Sequence, residues 1–288
     1  MISVVGAGVM GKELIKIFSE EKILLGYYDL KSKTENNIFF DDAFLKQSVQ
    51  ELKNSSFIIL CLPNQDSVEK TVDLILNNCN EKNERPGIVD MSTSSPDFAN
   101  KIFEKCSLKG INYYECPMIG GVRALRERKL NVLIHSNQQN YSKLEPILKL
   151  FCGKIYEFRN SGEPNSLKLV HNFITISNSL IAMQGLAISD VLGFDRETFF
   201  DVIENGTASS YVIKNTLKRT LLHDDFKEGY KLNLVKKDMK EINSLFKKCN
   251  PNFAIYKEIV KIIMSDFDEE FLSVDYPIIY SQLFKLNN

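Results

Sequence analysis

Ile2-Ser3-Val4-Val5-Gly6-Ala7-Gly8-Val9-Met10-Gly11 is a short, mostly apolar run that breaks into three glycines spaced GxGxxG. A helical pattern, residues 12–20, follows at once. Between a strand and a helix these glycines have separate duties. Gly6 allows the tight turn, Gly8 lets a pyrophosphate approach the main chain, and Gly11 lets the helix pack on the strand. Ala7, Val9 and Met10 complete the loop, and the unpaired amides at the helix start face the phosphates. Residues 6–11 therefore predict a dinucleotide site of the Rossmann type. Asp29 ends the next strand, where a carboxylate accepts the hydroxyls of an adenosine ribose. It would repel a 2′-phosphate, so NAD is expected and NADP less so. Lys31 and Lys33 follow closely and would offset part of that repulsion.

Outward from this loop the first half alternates short apolar runs with helical patterns. Strands are expected at 2–5, 23–28, 57–61, 87–90, 112–115, 131–134 and 154–157. Helices are expected at 12–20, 66–76, 96–105 and 141–150, where apolar residues recur at three and four. Strands separated by helices of ten to fifteen residues mean βαβ units and a mainly parallel, doubly wound sheet. After Arg159 the character changes. Ser161-Gly162-Glu163-Pro164 is a break followed by a proline suited to a first helical turn. From there to Leu192 the chain predicts one long helix, apolar around much of its girth, which must be buried against its own domain or a second subunit. Further helices are expected at 196–204, 211–222, 232–248, 252–265 and 276–285. The fold class is thus an α/β Rossmann domain over 1–160 followed by an all-α domain over 161–288.

The chain has 288 residues, 44% hydrophobic and 25% charged, with 36 basic against 37 acidic side chains. A formal net charge of -1 gives no electrostatic case for nucleic acid or an anionic membrane as partner. No stretch reaches the roughly 18 apolar residues of a membrane span. Met1 to Val5 enter the glycine turn without the basic and small-residue flanks of a signal peptide. The six cysteines have no CxxC pair and no metal spacing, so they read as reduced thiols of a cytoplasmic protein, with no metal site. Cys61 and Cys116, at apolar strand ends, read as small buried hydrophobes.

Four further segments make the pattern more specific. They are Leu62-Pro63 after a strand, Val89-Asp90-Met91-Ser92-Thr93 with Pro96, Pro117 with Gly120-Gly121, and Lys168-Leu169-Val170-His171-Asn172. With the N-terminal GxGxxG and a late Lys237-Asp238-Met239, the chain resembles the β-hydroxyacid dehydrogenase family, a relative of 6-phosphogluconate dehydrogenase, over nearly its whole length. The resemblance implies hydride transfer between a nicotinamide and a small, anionic hydroxyacid or its semialdehyde. It implies Lys168 as the general acid/base, with Asn172 one turn on, binding substrate or orienting the lysine. Desolvation on an apolar helix would bring the lysine pKa toward a useful range. By the same transfer Leu62, Pro63, Ser67 and Thr93 line the nicotinamide half of the cofactor, and Lys237 closes over it. Family members associate through the helical domain, so a homodimer or homotetramer is expected.

The pattern departs from the family in places. The serine that holds the substrate carboxylate is replaced by Ile119, which leaves the amides of Gly120 and Gly121 as donors. Arg128-Lys129-Leu130 stands where the family has a glycine before a Thr-Leu pair, and Arg123, Arg126 and Arg128 add positive charge nearby. His171 is shared with 6-phosphogluconate dehydrogenases, so a decarboxylating dehydrogenase of that type is the alternative, although Met91-Ser92-Thr93 replaces their Gly-Gly-Asn. A cofactor-binding relative without catalysis is a third reading, opposed by the presence of both Lys168 and Asn172. Imine reductases usually carry Asp or Tyr in place of this lysine.

Overall fold

The computed structural model describes residues 1–29, 45–46, 48–78, 85–136, 141–249 and 253–284. The chain divides into two compact units, Met1–Lys168 and Leu169–Asn288. Among its described residues the first has eight strands: β1 (Ile2–Val5), β2 (Leu24–Tyr28), β3 (Phe57–Leu60), β4 (Gly87–Asp90), β5 (Tyr113–Glu115), β6 (Met118–Ile119), β7 (Leu130–His135) and β8 (Cys152–Phe158). Between them run α1 (Val9–Glu20), α2 (Gln65–Asn78), α3 (Pro96–Leu108), α4 (Val122–Arg126) and α5 (Tyr141–Leu148). The sheet order is β2-β1-β3-β4-β5-β7, and β2 through β5 are parallel. Strands β5 and β6 both pair antiparallel with β7, and β8 pairs with β7 in parallel.

The central strands are buried on both faces, which is why they read as unbroken apolar runs rather than alternating ones. One face packs Leu14, Ile15 and Phe18 of α1 and Leu144 and Leu148 of α5 against Val4, Ile59 and Val89. The other packs Val68, Val72 and Ile75 of α2 and Ile102 of α3 against Val5, Ile58 and Ile88. Caps stop the helices where the sequence allows. Ser95 accepts from the Phe98 amide at 3.2 Å to start α3. Among the strands and α-helices of this unit, β6 and α4 lie outside the sequence expectation, because two and five residues are too short to show a period.

The long helix is α6 (Glu163–Val191), and its first two turns belong to the first unit. The rest of α6 builds the second unit with α7 (Arg196–Asn205), α8 (Leu232–Lys248), α9 (Ala254–Met264) and α10 (Tyr280–Leu283). Leu169, Ile176, Leu180, Met183 and Leu186 of α6 form one side of its core, and Val235, Met239 and Ile242 of α8 another. Arg196 and the Tyr280 hydroxyl both bind the Asp190 carboxylate at 2.7 Å, which fastens α7 and α10 to α6. The expected helix 211–222 exists, but Val212–Leu222 winds with i→i+5 hydrogen bonds, a choice that periodicity alone does not reveal. The expected helix 276–285 is also different: Tyr276–Ile279 is a 3₁₀ turn with Pro277 as its second residue, and among the described residues α10 follows it. Lys285 lies outside the described residues.

Asp275, 1% exposed, anchors this unit's last segment. It accepts from the Tyr230 amide at 2.9 Å and pairs with Arg219, and an added Cβ on Gly229 would collide with it. Burial pushes its carboxyl up from 3.8 to about 6, against the pull of Arg219. A folded-state pKa above the unfolded one favours folding below about pH 4 and loses that contribution as pH rises through 6. Relative to Asp275→Asn, the wild type should therefore gain on the order of 2–3 kcal/mol as pH falls from 7 to 4. Paired urea melts at the two pH values check this, and a difference that is constant with pH would refute it.

Candidate functional site

The order of strands reverses at β1, with β2 on one side and β3 on the other. In open α/β sheets the ligand crevice lies outside the carboxyl ends of the strands at such a reversal. Here the loops leaving β1 and β3 pack main chain on main chain. Gly6 has φ +97, and a Cβ on it would stand 2.3 Å from the Cys61 carbonyl oxygen. A Cβ on Gly11 would stand 1.8 Å from the Gly6 carbonyl oxygen. Gly8 differs: among the described residues nothing lies within 4 Å of an added Cβ. It opens α1 with extended backbone, and no described side chain caps the helix, so the first amides are left for an anion. Val9 and Met10 form the first turn. Asp29, directly after β2, accepts the Ala7 amide at 2.6 Å, which places its carboxylate on the same loop. These residues fit a dinucleotide pyrophosphate and ribose. Lys31 and Lys33 lie outside the described residues.

The exits of β3 and β4 are tied by a buried acid. Asp90 accepts the Ser92 amide and the Tyr113 hydroxyl, each at 2.9 Å. The Ser92 hydroxyl in turn accepts the Leu62 amide at 3.0 Å. Pro63 is exposed beside it, and Ser67, in the first turn of α2, donates its amide to Asn64 at 2.9 Å. Thr93 is half-buried in the loop between Ser92 and Ser94. Leu62, Pro63, Ser67 and Thr93 thus lie on neighbouring loops at one edge of the sheet. Cys61 is inert there, because burial and the Asp90 charge push its thiol up to about 12. Burial likewise pushes the Cys116 thiol well up.

A second buried acid, Glu115, ends β5 and holds the start of α6. Its carboxylate accepts the Gly162 amide at 2.6 Å, the Asn165 amide at 2.9 Å and the Asn165 side chain at 2.8 Å. Burial pushes this carboxyl up while the Gly162 and Asn165 donors pull it down. The Asn165 oxygen accepts the Ser94 amide at 2.9 Å. Lys168, half-buried, stands three residues further along this helix. The β6 segment follows β5: Ile119 pairs with Asn131, Gly120 has φ +119, and Gly121 starts α4. The arginines near it are engaged on the surface, Arg123 with Glu127 at 2.8 Å, Arg126 with Glu13 at 2.7 Å and Arg128 with Glu21 at 2.6 Å.

In the second unit Asn172 is buried. Its side-chain nitrogen donates to Asp238 at 2.7 Å and to the Tyr230 hydroxyl at 3.2 Å. Tyr230 also donates to Asp238, and Lys237 Nζ lies 2.9 Å from the other carboxylate oxygen. Asn172 and Lys237 are thus joined through Asp238. Sequence reasoning gave no role to Asp90, Glu115, Asn165, Tyr230 or Asp238. For the first two a signal existed, since each is a single acid closing an apolar strand. No group of His, Cys, Asp and Glu among the described residues is placed to hold a metal, and no described helix is long and apolar enough to cross a membrane.

Residues 1–158 match the family model for the NAD-binding domain of 6-phosphogluconate dehydrogenase. Residues 162–269 match that for the NAD-binding region of NADP-dependent 3-hydroxyisobutyrate dehydrogenase. The chain belongs to the β-hydroxyacid dehydrogenase family, NAD(P)-dependent oxidoreductases that act on CH–OH groups. It is 25% identical to 2-(hydroxymethyl)glutarate dehydrogenase of Eubacterium barkeri over 83% of this chain and 79% of that one. With mitochondrial 3-hydroxyisobutyrate dehydrogenase of Drosophila melanogaster it shares 21% identity over 99% and 89%. Its fold matches that of Mycobacterium tuberculosis 3-hydroxyisobutyrate dehydrogenase, solved with L-serine, at TM-score 0.83 and 18% identity, covering 98% of each chain.

The glycine geometry separates folding from binding. Gly8→Ala should melt within a few degrees of wild type yet bind cofactor at least tenfold more weakly, because its methyl enters the open space. Gly11→Ala should lose the folded first unit, since its methyl meets backbone. Thermal melts beside cofactor titration test the pair, and equal melting of the two variants would contradict the assignment.

Proposed function

We propose that the chain interconverts a small, anionic 3-hydroxyacid and its semialdehyde with NAD, Lys168 acting as general acid/base. The observation that carries this reading is the tie between the start of the Lys168 helix and the loop that carries Thr93, made by Asn165 and Ser94. The nicotinamide, when bound, supplies or takes the hydride. Leu62, Pro63, Ser67 and Thr93 border its half of the crevice, and Gly6, Ala7, Gly8, Val9, Met10 and Gly11 hold the pyrophosphate. Lys168, as a neutral amine, takes the hydroxyl proton during oxidation and returns it to the carbonyl oxygen during reduction. The family resemblance would give Asn172 the part of binding substrate or orienting the lysine, and Lys237 a part in cofactor binding. NAD is favoured over NADP because Asp29 meets the ribose as a carboxylate. Gly120 and Gly121 offer amides to the substrate anion where Ile119 offers none. A 6-phosphogluconate-type reaction is disfavoured, because Arg123, Arg126 and Arg128 are paired with carboxylates rather than gathered for a phosphate.

The test is a screen of 3-hydroxyacids, semialdehydes and 6-phosphogluconate, followed by absorbance of the reduced cofactor. Lys168→Ala should abolish turnover and leave NAD affinity within about threefold. Ile119→Ser should raise kcat/KM for simple 3-hydroxyacids roughly tenfold to hundredfold, the worth of one hydrogen bond to a charged group. Activity retained by Lys168→Ala, or tighter binding of NADP than NAD, would overturn the respective assignment.

The same reading includes a homodimer or homotetramer built on α6. Its outer face exposes Ile174, Ile181 and Ile188 at intervals of seven residues, beside a groove of about 660 Å³ lined by Leu180, Ala254 and Ile255. A seven-residue apolar seam suits a second helix of the same kind. Light scattering should give at least twice the 33.0 kDa chain mass, and Ile181→Glu should dissociate the assembly. A wild-type monomer at micromolar concentration would refute it.

A further inference from the structure

We propose that Asn165 is a positioning residue for proton transfer, its side chain fixing the first turns of α6, and with them Lys168, against the loop that carries Thr93. The proposal rests on the acid/base reading of Lys168. Asn165 is 2% exposed, and its backbone amide, side-chain nitrogen and side-chain oxygen are all hydrogen-bonded there. Its side-chain nitrogen and its backbone amide both donate to Glu115 Oε1, at 2.8 and 2.9 Å, and its side-chain oxygen accepts the Ser94 amide at 2.9 Å. Glu115 already accepts the Gly162 and Asn165 backbone amides, and the Ser94 N–H can only donate, so the amide has one orientation that satisfies both neighbours. Neither partner can move to water, because Glu115 and Ser94 are 0% and 1% exposed.

The clamp joins three elements at one point. Glu115 ends β5, Ser94 lies in the loop between β4 and α3, and Asn165 is in the first turn of α6. Gly162, with φ +87, lets the chain enter that turn close to the start of α3: a Cβ there would stand 3.2 Å from the Pro96 carbonyl oxygen. Lys168 follows Asn165 by three residues, about 4.5 Å along the helix axis. A hydrogen-bonded helix passes a displacement of its first turn on to that lysine. Proton transfer needs hydrogen-bond reach, and a misplacement of about 1 Å costs on the order of a hundredfold in rate. Asn165 therefore governs kcat without touching the reacting atoms.

The titratable groups around the clamp are His135, the β7 partner of Glu115, with Tyr113 and Cys116 on or next to β5. Substituting Asn165→Asp makes the clamp itself titrate. A protonated new carboxyl repeats the pattern of the amide, its O–H donating to Glu115 and its C=O accepting from Ser94. Once ionised, it sets a second negative charge against Glu115, and the clamp opens.

The experiment measures malonate semialdehyde reduction by NADH from pH 5 to pH 8, for wild type, Asn165→Asp, Asn165→Ala and Lys168→Ala. The kcat of Asn165→Asp relative to wild type should be near one at pH 5 and fall about tenfold to hundredfold by pH 8, reversibly. Asn165→Ala should lose a similar factor at every pH, with NADH affinity within about threefold of wild type. A purely structural role would lower the melting temperature while leaving kcat and its pH profile alone, and that result would overturn the proposal. So would a pH-independent ratio for Asn165→Asp, which remains informative if the alanine variant fails to fold. Lys168→Ala retaining turnover would sink the acid/base reading and the proposal together. An inactive Lys168→Ala beside a fully active Asn165→Ala would sink the proposal alone.

Discussion

The carbonyl oxygen of Gly6 occupies the space that a side chain on residue 11 would need, and the first unit is arranged around that approach. Because α1 begins so close to β1, its first amides open at the carboxyl edge of the sheet. Gly6 must in turn lie against Cys61, which brings the loop after β3 to the same edge. The reversal of strand order at β1 then supplies the crevice. A backbone constraint of this kind is stringent, since backbone cannot rotate away as a flexible side chain can. Gly8 is under no such constraint, since among the described residues nothing lies within 4 Å of a Cβ added to it.

Buried acids act as organisers in each of the two units. Asp90 orders the exit of β4, Glu115 holds the start of α6, and Asp238 gathers Asn172, Tyr230 and Lys237. A buried carboxylate is costly unless donors surround it, and here backbone amides or fixed side chains do so. The same geometry makes each acid a local organiser, because one group satisfies donors from segments far apart in the chain. Glu115 also explains why compactness carries the first unit to Lys168 while the composition of the chain changes near residue 160. The opening turns of α6 are bonded to β5 and to the loop after β4, so they belong with the sheet although their sequence is helical.

Much of the fold was legible in the sequence because burial writes itself as pattern. Strands covered on both faces read as Ile58-Ile59-Leu60 or Ile88-Val89, and the helices between them show their inward stripe. Pro164 announced α6, and Lys237-Asp238-Met239 sat in a helix whose limits, Leu232–Lys248, periodicity gives directly. Elements without a period were not legible. The two residues of β6 pair with β7 and the five of α4 bury only Val122 and Leu125, and the i→i+5 winding of Val212–Leu222 leaves the same apolar spacing as an ordinary helix.

The site divides along the same line. Gly6, Gly8, Gly11 and Asp29 were legible because a strand, a turn and a helix start lie in sequence order, and the chemistry is local. Lys168 and Asn172 were legible only through family resemblance, since a lysine on a helix has no local signature. The partners that hold them were not legible at all. Asn165 meets Ser94 across 71 residues and Glu115 across 50, while Asn172 meets Asp238 across 66. Each contact is only one or two hydrogen bonds between residues of ordinary type, and no spacing encodes it. Placing a reactive group is thus a non-local property here, even where the group itself can be named from a motif. On the proposed reading, the replacement of the family serine by Ile119 would bear on what a substrate anion meets and not on the placing of Lys168, because Ile119 lies in β6 and takes no part in the hydrogen bonds that fix the start of α6.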